Sequence, residues 1–195
     1  MVFSVSMYKL VCVVGMPGAG KSCVGKIFSE SGFSYLRFGQ ITIDLITERK
    51  WEQNSENERK VREEIRNKSG MGAYAILSIP KIDALLRKGN AIVDGLYSWS
   101  EYKILKEKYG SRMVVMAVYA PPSLRYKRLS SRTDVDEKLI NRLIPVEEAQ
   151  QRDYAEIENI EKGGPIVMAD YTILNIGSKE EFEKNVKKIM KFISL

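Results

Sequence analysis

The sequence contains no histidine, and this absence excludes several kinds of active site. Histidine cannot serve as general acid, general base, nucleophile or metal ligand in this chain. There are two cysteines, Cys12 and Cys23, and their spacing resembles no metal site. We expect no disulfide between them and a place in the core for Cys12. Cys23 opens a predicted helix, where a thiolate would be favoured, although a packing role is the simpler interpretation.

Long apolar runs are also missing. No stretch of 18 apolar residues occurs, so we expect no membrane span and no membrane partner. Residues 1–9 lack the basic region and apolar core of a signal peptide, which favours a cytoplasmic location. At 195 residues, 44% of them hydrophobic, the chain fits one domain over 1–195, either a monomer or a homodimer.

The net charge of +6 suits either nucleic acid or phosphate-bearing small molecules. The arginines gather near predicted phosphate-binding segments, which favours the second interpretation. RNA therefore stays a possible partner that the sequence does not favour.

The most informative stretch is G-M-P-G-A-G-K-S at 15–22, which fits the P-loop pattern. An apolar strand is predicted before it at 10–14, and a helix ending near Gly32 after it. In this setting the backbone N–H groups bind phosphate, Lys21 reaches the β- and γ-phosphates, and the Ser22 hydroxyl holds Mg²⁺. We expect ATP and Mg²⁺ as cofactors. The predicted nucleotide-binding residues are Gly15, Met16, Pro17, Gly18, Ala19, Gly20, Lys21, Ser22 and Cys23.

Alternating patterns along the rest of the chain predict an α/β fold of three layers, with a five-stranded parallel sheet covered on both faces. Ligands bind such sheets at the carboxyl ends of the strands, which places Gly39, Asp94 and Gly95 beside the P-loop. The other predicted strands are 33–38, 90–95, 113–119 and 171–174. Helices are predicted at 41–50, 58–68, 73–87, 99–109 and 146–162, with one opened by Pro121 and Pro122 and a final one at the end of the chain. Pro80 is expected to kink or restart the helix at 73–87. Residues 51–60 are predicted as a loop that leads into a helix.

Asp94 follows an apolar strand and precedes Gly95. A carboxylate at that strand end can reach the Mg²⁺ of the P-loop, as a Walker-B aspartate does. The alternative is an ordinary turn aspartate, since Asp-Gly commonly marks a turn.

Residues 121–145 are rich in basic side chains. Arg125, Arg128 and Arg132 lie at i, i+3 and i+7, which is one stripe of a helix. Arginine forks suit the oxygens of a phosphoryl group in transfer, so these three and Lys21 are the predicted catalytic residues. The surrounding segment, about 125–150, fits a mobile lid. The alternative is a charged helix that faces solvent.

A second basic group could line an acceptor pocket, although a surface helix explains it equally well. Its members are Arg49, Arg62, Arg66 and Lys68. Of these we expect Arg66, together with Gly39 and Gly95, to contact the acceptor. Three aromatic residues could also do so, although packing is the commoner role: Trp51, Tyr97 and Trp99.

These motifs together resemble the P-loop nucleoside- and nucleotide-kinase superfamily. The segment A-D-Y-T-I-L-N at 169–175 is similar to the end of dephospho-coenzyme A kinases, which implies that 175–178 lies beside the nucleobase and that Asn175 contacts it. The chain resembles more closely an uncharacterised family described as adenylate-kinase-related or dephospho-coenzyme A kinase-like. The shared motifs are G-M-P-G-A-G-K at 15–21, R-x-x-x-G-M at 66–71 and A-P-P-x-x-R-x-x-R-L at 120–129.

Two departures concern the acceptor. Adenylate kinases usually carry D-G-F-P-R where this chain has D-G-L-Y-S at 94–98, so their acceptor-phosphate arginine is missing. Gln40 stands where dephospho-coenzyme A kinases place an aspartate, and an amide cannot accept the proton. The sequence therefore predicts an ATP-dependent kinase for a nucleotide or similar small molecule. The alternative is an ATPase or nucleotide-gated binding protein that acts on RNA or a protein partner.

Overall fold

The five strands of the described part of the chain form one parallel sheet. The computed structural model describes residues 8–131 and 143–193. The strands are β1 (Leu10–Val14), β2 (Ser34–Arg37), β3 (Ala91–Asp94), β4 (Met113–Tyr119) and β5 (Tyr171–Leu174). Their order across the sheet is β2-β3-β1-β4-β5, and Leu10 pairs with Ala91 on one side and Met113 on the other. The predicted α/β fold with a parallel sheet is confirmed.

Helices follow the strands as the sequence predicts. Within the described residues they are α1 (Lys21–Glu30), α2 (Gln40–Glu48), α3 (Ser55–Ser69), α4 (Ala73–Leu86), α5 (Trp99–Tyr109), α6 (Pro122–Ser130), α7 (Val146–Glu158), α8 (Gly163–Val167) and α9 (Lys179–Ile193). None of the helices in this part of the chain is long and apolar enough to cross a membrane.

The sheet separates two hydrophobic cores, because successive side chains of a strand point to opposite faces. In β1, Cys12 packs with α2 to α5 on one face, whereas Val11 and Val13 pack with α1 and α9 on the other. All of β1 is fully buried. The site after β1 therefore stands on the most enclosed strand of the sheet.

Three local predictions need correction. The loop predicted at 51–60 is shorter, because the Asn54 side chain accepts a hydrogen bond from the Asn57 backbone N–H (2.9 Å) and starts α3 at Ser55. The next helix, α4, runs through Pro80 as one element, without a restart. The helix predicted to end at 162 ends at Glu158, which leaves the following residues free to turn back toward the sheet.

Glu101 is a buried carboxylate at the start of α5. Its Oε2 accepts hydrogen bonds from the backbone N–H groups of Tyr97 (2.7 Å) and Ser98 (3.1 Å), which makes a capping box with Ser98. Its Oε1 has no hydrogen-bond partner among the described residues. Burial raises the pKa of Glu101 to about 7, although these hydrogen bonds and the charges of Arg66 and Lys162 oppose the change.

We expect Glu101→Gln to remove a pH dependence of folding. A carboxyl group whose pKa is higher in the folded state than in the unfolded state stabilises the folded state. This contribution is complete below the unfolded pKa of 4.5, and it is lost as the pH rises through the folded pKa of about 7. The wild type should lose up to about 3 kcal/mol of unfolding free energy relative to the variant across that window. Urea unfolding at several pH values from 4.5 to 8 measures it. The exposed Glu30→Gln is the control, and identical slopes for Glu101→Gln and wild type would contradict the expectation.

Candidate functional site

The P-loop lies between β1 and α1 at the carboxyl edge of the sheet. Two of its glycines are required by space and by backbone angle. Gly15 has φ +146°, and a Cβ there would lie 2.5 Å from the Val118 carbonyl oxygen. Gly20 has φ +110°, and a Cβ would collide with the side-chain amide of Asn175. The loop thus packs tightly against the ends of β4 and β5.

Lys21 is the first residue of α1, and its side chain folds back over the loop. Its Nζ donates to the carbonyl oxygens of Gly15 (2.9 Å) and Met16 (3.2 Å). Burial, helped by the nearby charge of Lys162, lowers the pKa of Lys21 to about 8. This ammonium group therefore sits where a phosphate tail in the loop would meet it.

Arg128 and Asn175 meet on the β5 side of the loop. The Asn175 side chain donates to the Ala19 carbonyl oxygen (2.8 Å), and Arg128 Nη2 donates to the Asn175 carbonyl oxygen (2.9 Å). Arg128 Nη1 is buried and has no hydrogen-bond partner among the described residues. Burial lowers the pKa of Arg128. An unpaired guanidinium donor of this kind suits a phosphate oxygen.

Arg125 lies behind the loop. It is 4% exposed, and its guanidinium donates to the carbonyl oxygens of Pro17 (3.0 Å) and Ala120 (3.0 Å) and forms a buried ion pair with Asp153 of α7. All of these partners are protein groups, and Arg125 does not line the cavity described below. Arg132, the third arginine of the predicted stripe, lies outside the described residues, as does the centre of the predicted lid.

Asp94 and Ser22 face the same cavity from β3 and α1. Asp94 is 8% exposed, and the Tyr35 hydroxyl donates to its Oδ2 (3.2 Å). A hydroxyl and a carboxylate are oxygen ligands of the kind that Mg²⁺ prefers. No group of three or more carboxylates or cysteines that could by itself hold a metal ion occurs in the ranges that the structure describes. The residues present therefore fit a Mg²⁺ ion that takes its other ligands from phosphate and water.

A second group of side chains, which the sequence analysis did not assign to the site, covers the β2 side of the loop. Lys162 is buried, contacts the Glu156 carboxylate and lies 5.2 Å over the Tyr97 ring. Arg152 also pairs with Glu156 (3.0 Å). Burial alone would raise the pKa of Glu156, but Lys162 and Arg152 more than offset it and hold the pKa at about 2. Arg37, the last residue of β2, also belongs to this group.

Gly39 and Gly95 are both adjacent to the Tyr97 hydroxyl. A Cβ would lie 3.2 Å from that oxygen at Gly39 and 2.6 Å from it at Gly95, where φ is +105°. The two glycines thus make room for Tyr97 at the edge of the cavity. Tyr97 was one of three aromatic candidates, and it is the one that lines the cavity.

These side chains surround one cavity of about 340 Å³. Five of them are cations and one is a carboxylate, so the cavity is strongly positive. The lining residues are Pro17, Gly18, Gly20, Lys21, Ser22, Arg37, Asp94, Tyr97, Arg128, Arg152, Lys162 and Asn175.

Other predicted contacts lie away from this cavity. Arg66 stacks over the Tyr74 ring at 5.4 Å, and Arg49 is paired in two hydrogen bonds with Glu64 (2.7 Å each). Burial raises the pKa of Cys23, which is opposite to the direction that its position at a helix start had indicated. Three further candidates also contact protein groups: Arg62 pairs with Glu58, Trp51 stacks with Arg49, and Trp99 stacks on Tyr102. Lys68 is exposed in the last turn of α3.

Comparisons with known proteins identify the family and the fold of the chain. A family model described as "AAA domain" matches residues 11–159. A UPF0200 protein of Thermococcus gammatolerans is 35% identical over 94% of this chain and 95% of its own. Among solved structures, a shikimate kinase from Bacteroides thetaiotaomicron has a TM-score of 0.59 at 12% identity, covering 96% of this chain and 99% of that one. A dephospho-CoA kinase from Campylobacter jejuni has a TM-score of 0.53 at 17% identity, covering 96% and 98%. The last two show a shared kinase-like fold.

Proposed function

Since the chain belongs to the P-loop family described as the AAA domain and to the UPF0200 proteins, we propose that it is a Mg²⁺- and ATP-dependent phosphotransferase for a nucleotide or similar small molecule. The observation that carries the proposal is the convergence of Lys21, Arg128, Ser22 and Asp94 on one positive cavity at the P-loop. Phosphoryl transfer requires positioning and charge stabilisation more than covalent chemistry, and these groups supply both.

Each residue has a distinct part in this proposal. The loop from Gly15 to Gly20 binds the triphosphate through backbone N–H groups, and the start of α1, where Ser22 lies, adds a further donor, whereas the Cys23 N–H donates to the Gly20 carbonyl oxygen (3.1 Å). Lys21 and Arg128 stabilise charge on the group in transfer. Ser22 and Asp94 hold Mg²⁺, which when bound neutralises phosphate charge.

Other residues act indirectly in this proposal, by holding the loop and its neighbours in place. Arg125 positions the loop through the Pro17 carbonyl, and Asn175 joins the loop to Arg128, beside the expected nucleobase. Gly39 and Gly95 shape the acceptor side around Tyr97. The stacking of Arg66 on Tyr74 supports an indirect role for Arg66 through the packing of α3 on α4.

An ATPase, or a nucleotide-gated protein that binds RNA or another protein, is the second candidate. The observation that favours it is the surplus of positive charge at the cavity, which would also suit a nucleic-acid backbone. In this case ATP would be hydrolysed without a small acceptor, and RNA binding would weaken steeply with salt.

The test is release of ADP from Mg²⁺-ATP in the presence of different acceptors. The panel contains AMP, CMP, UMP, the matching nucleosides, dephospho-CoA, shikimate and no acceptor. We expect at least one acceptor to raise ADP release about tenfold or more above the tube without acceptor. Equal ADP release in every tube would instead support the ATPase, and chelation of Mg²⁺ by EDTA is the control for both.

A further inference from the structure

The cavity extends from the P-loop in two directions, and the strand order separates them. The loop follows the central strand β1. Toward β5 lie Arg128 and Asn175, which are bonded to each other, and Asn175 is also bonded to the loop. Toward β2 lie Arg37, Tyr97 and Lys162 with Arg152. If the nucleobase and triphosphate occupy the β5 side and the loop, the β2 side is where the second substrate enters.

The β2 side of the cavity carries more positive charge than the carboxylate of Glu156 can balance. Arg152 and Lys162 share one anion, Glu156. Arg37 makes no ion pair with any residue in the part of the chain that the structure describes. Mg²⁺-ATP brings about two net negative charges, which Lys21 and Arg128 can match. Asp94, which lies opposite Arg37 in the register of β2 and β3, offsets a further cation, so about one net positive charge remains on the β2 side for a second anionic group.

Within residues 8–131 and 143–193, the same side lacks a group able to remove a proton from an alcohol. Among the described residues Asp94 is the one carboxylate that lines the cavity, and a carboxylate that holds Mg²⁺ is not available as a base. Glu156 is held by two cations. After β2, the exposed Gln40 donates its side-chain amide to Asp44 (2.8 Å). A hydroxyl acceptor would therefore keep its proton, whereas an acceptor that is already ionised needs no base.

We infer that the acceptor is a phosphomonoester, such as a nucleoside monophosphate, whose phosphate binds Arg37, Arg152 and Lys162 and receives the phosphoryl group on one of its oxygens. This inference rests on the proposed kinase function. In the transfer, a bond forms between the ionised acceptor oxygen and the γ-phosphorus as the bond from that phosphorus to the β,γ-bridging oxygen breaks. The bonding electrons leave with ADP, and no proton is released.

The spatial arrangement also accounts for a residue that the sequence lacks. The segment D-G-L-Y-S at 94–98 has no arginine. In the fold, Lys162 and Arg152 reach the same place from the α7–α8 region and lie beside Tyr97, while Arg37 approaches from β2. Three cations from distant parts of the sequence thus replace one arginine of a local motif.

The first experiment compares acceptors that differ by the phosphate alone: AMP with adenosine, CMP with cytidine and UMP with uridine. We expect kcat/KM for ADP release to be at least about 100-fold higher for the best monophosphate than for its nucleoside. The product should be a nucleoside diphosphate, identified by chromatography.

The second experiment assigns the binding site. Arg37→Met should raise KM for that monophosphate about tenfold or more, because a charged hydrogen-bond donor is lost. The Kd for Mg²⁺-ATP, measured by calorimetry, should change less than about twofold, which also shows that the variant is folded. Arg59→Met, at an exposed position of α3 (side chain 69% exposed), is the matched control and should change neither constant.

The results distinguish a failure of this inference from a failure of the proposed kinase function. If a nucleoside or dephospho-CoA is phosphorylated on a hydroxyl faster than any monophosphate, the kinase stands and the phosphate acceptor is wrong. An unchanged KM in Arg37→Met overturns the assigned site. If no acceptor raises ADP release, the kinase proposal itself fails, and this inference fails with it.

Discussion

Lys21→Met should lower the rate of acceptor-dependent ADP release about 10³-fold or more. The ammonium group lies over the loop carbonyls of Gly15 and Met16, where the β- and γ-phosphates would bind. Methionine keeps the length of the side chain but brings no charge to the phosphoryl group in the transition state. Steady-state kinetics with saturating Mg²⁺-ATP and acceptor measure the loss in kcat.

Lys26→Met is the matched control for this variant. Lys26 lies on the same helix, but its side chain is 75% exposed and pairs with Glu30 at 3.8 Å. We expect its kinetics and its unfolding midpoint to equal those of the wild type. If Lys21→Met retained more than about a tenth of the wild-type rate, Lys21 would not be the catalytic cation of this site.

Asp153→Asn should destabilise the fold by about 3–5 kcal/mol, because it leaves the Arg125 guanidinium buried without a counter-charge. Both side chains are almost completely enclosed, with 5% and 6% exposure, and the Tyr126 hydroxyl also donates to Asp153 (3.0 Å). Urea unfolding at neutral pH measures the change. The ATP affinity should fall as well, since Arg125 holds the Pro17 carbonyl of the loop.

Two further variants test this explanation of the effect of Asp153→Asn. Glu30→Gln breaks an exposed pair on α1 and should cost less than about 1 kcal/mol. The double replacement Arg125→Met with Asp153→Leu should be less destabilising than Asp153→Asn alone, because it removes the buried charge together with its partner. A single variant as stable as Glu30→Gln would show that the pair is dispensable.

The local parts of the fold were predictable from the sequence because they depend on short-range patterns. The strands 10–14, 113–119 and 171–174 match β1, β4 and β5 residue for residue. The P-loop was recognisable since its glycines, lysine and serine are neighbours in the chain. The helix boundaries were harder, as Asn54 and Glu158 show, because single hydrogen bonds and the packing of the following residues decide where a helix begins or ends.

The β2 side of the cavity could not be read from local patterns. Lys162 was assigned to the end of a helix, yet it turns back and places its ammonium group over Tyr97. Arg152 reaches the cavity because the pairing of Arg125 with Asp153 fixes α7 against α6. For Arg37 one signal existed. It ends a strand at the same edge as Gly39 and Asp94, so the rule that placed those residues also applied to it.

The central place of β1 has a consequence for how the protein acquires its activity. Leu10 of β1 pairs with Ala91 and Met113, so β1 takes its place in the sheet only after these much later residues have been synthesised. Contacts between such distant segments form slowly, since a long loop must close before each is made. On the ribosome, the P-loop emerges early, but β1 lacks its neighbouring strands until β3 and β4 have been synthesised. Nucleotide binding should therefore be among the last properties that a nascent chain gains.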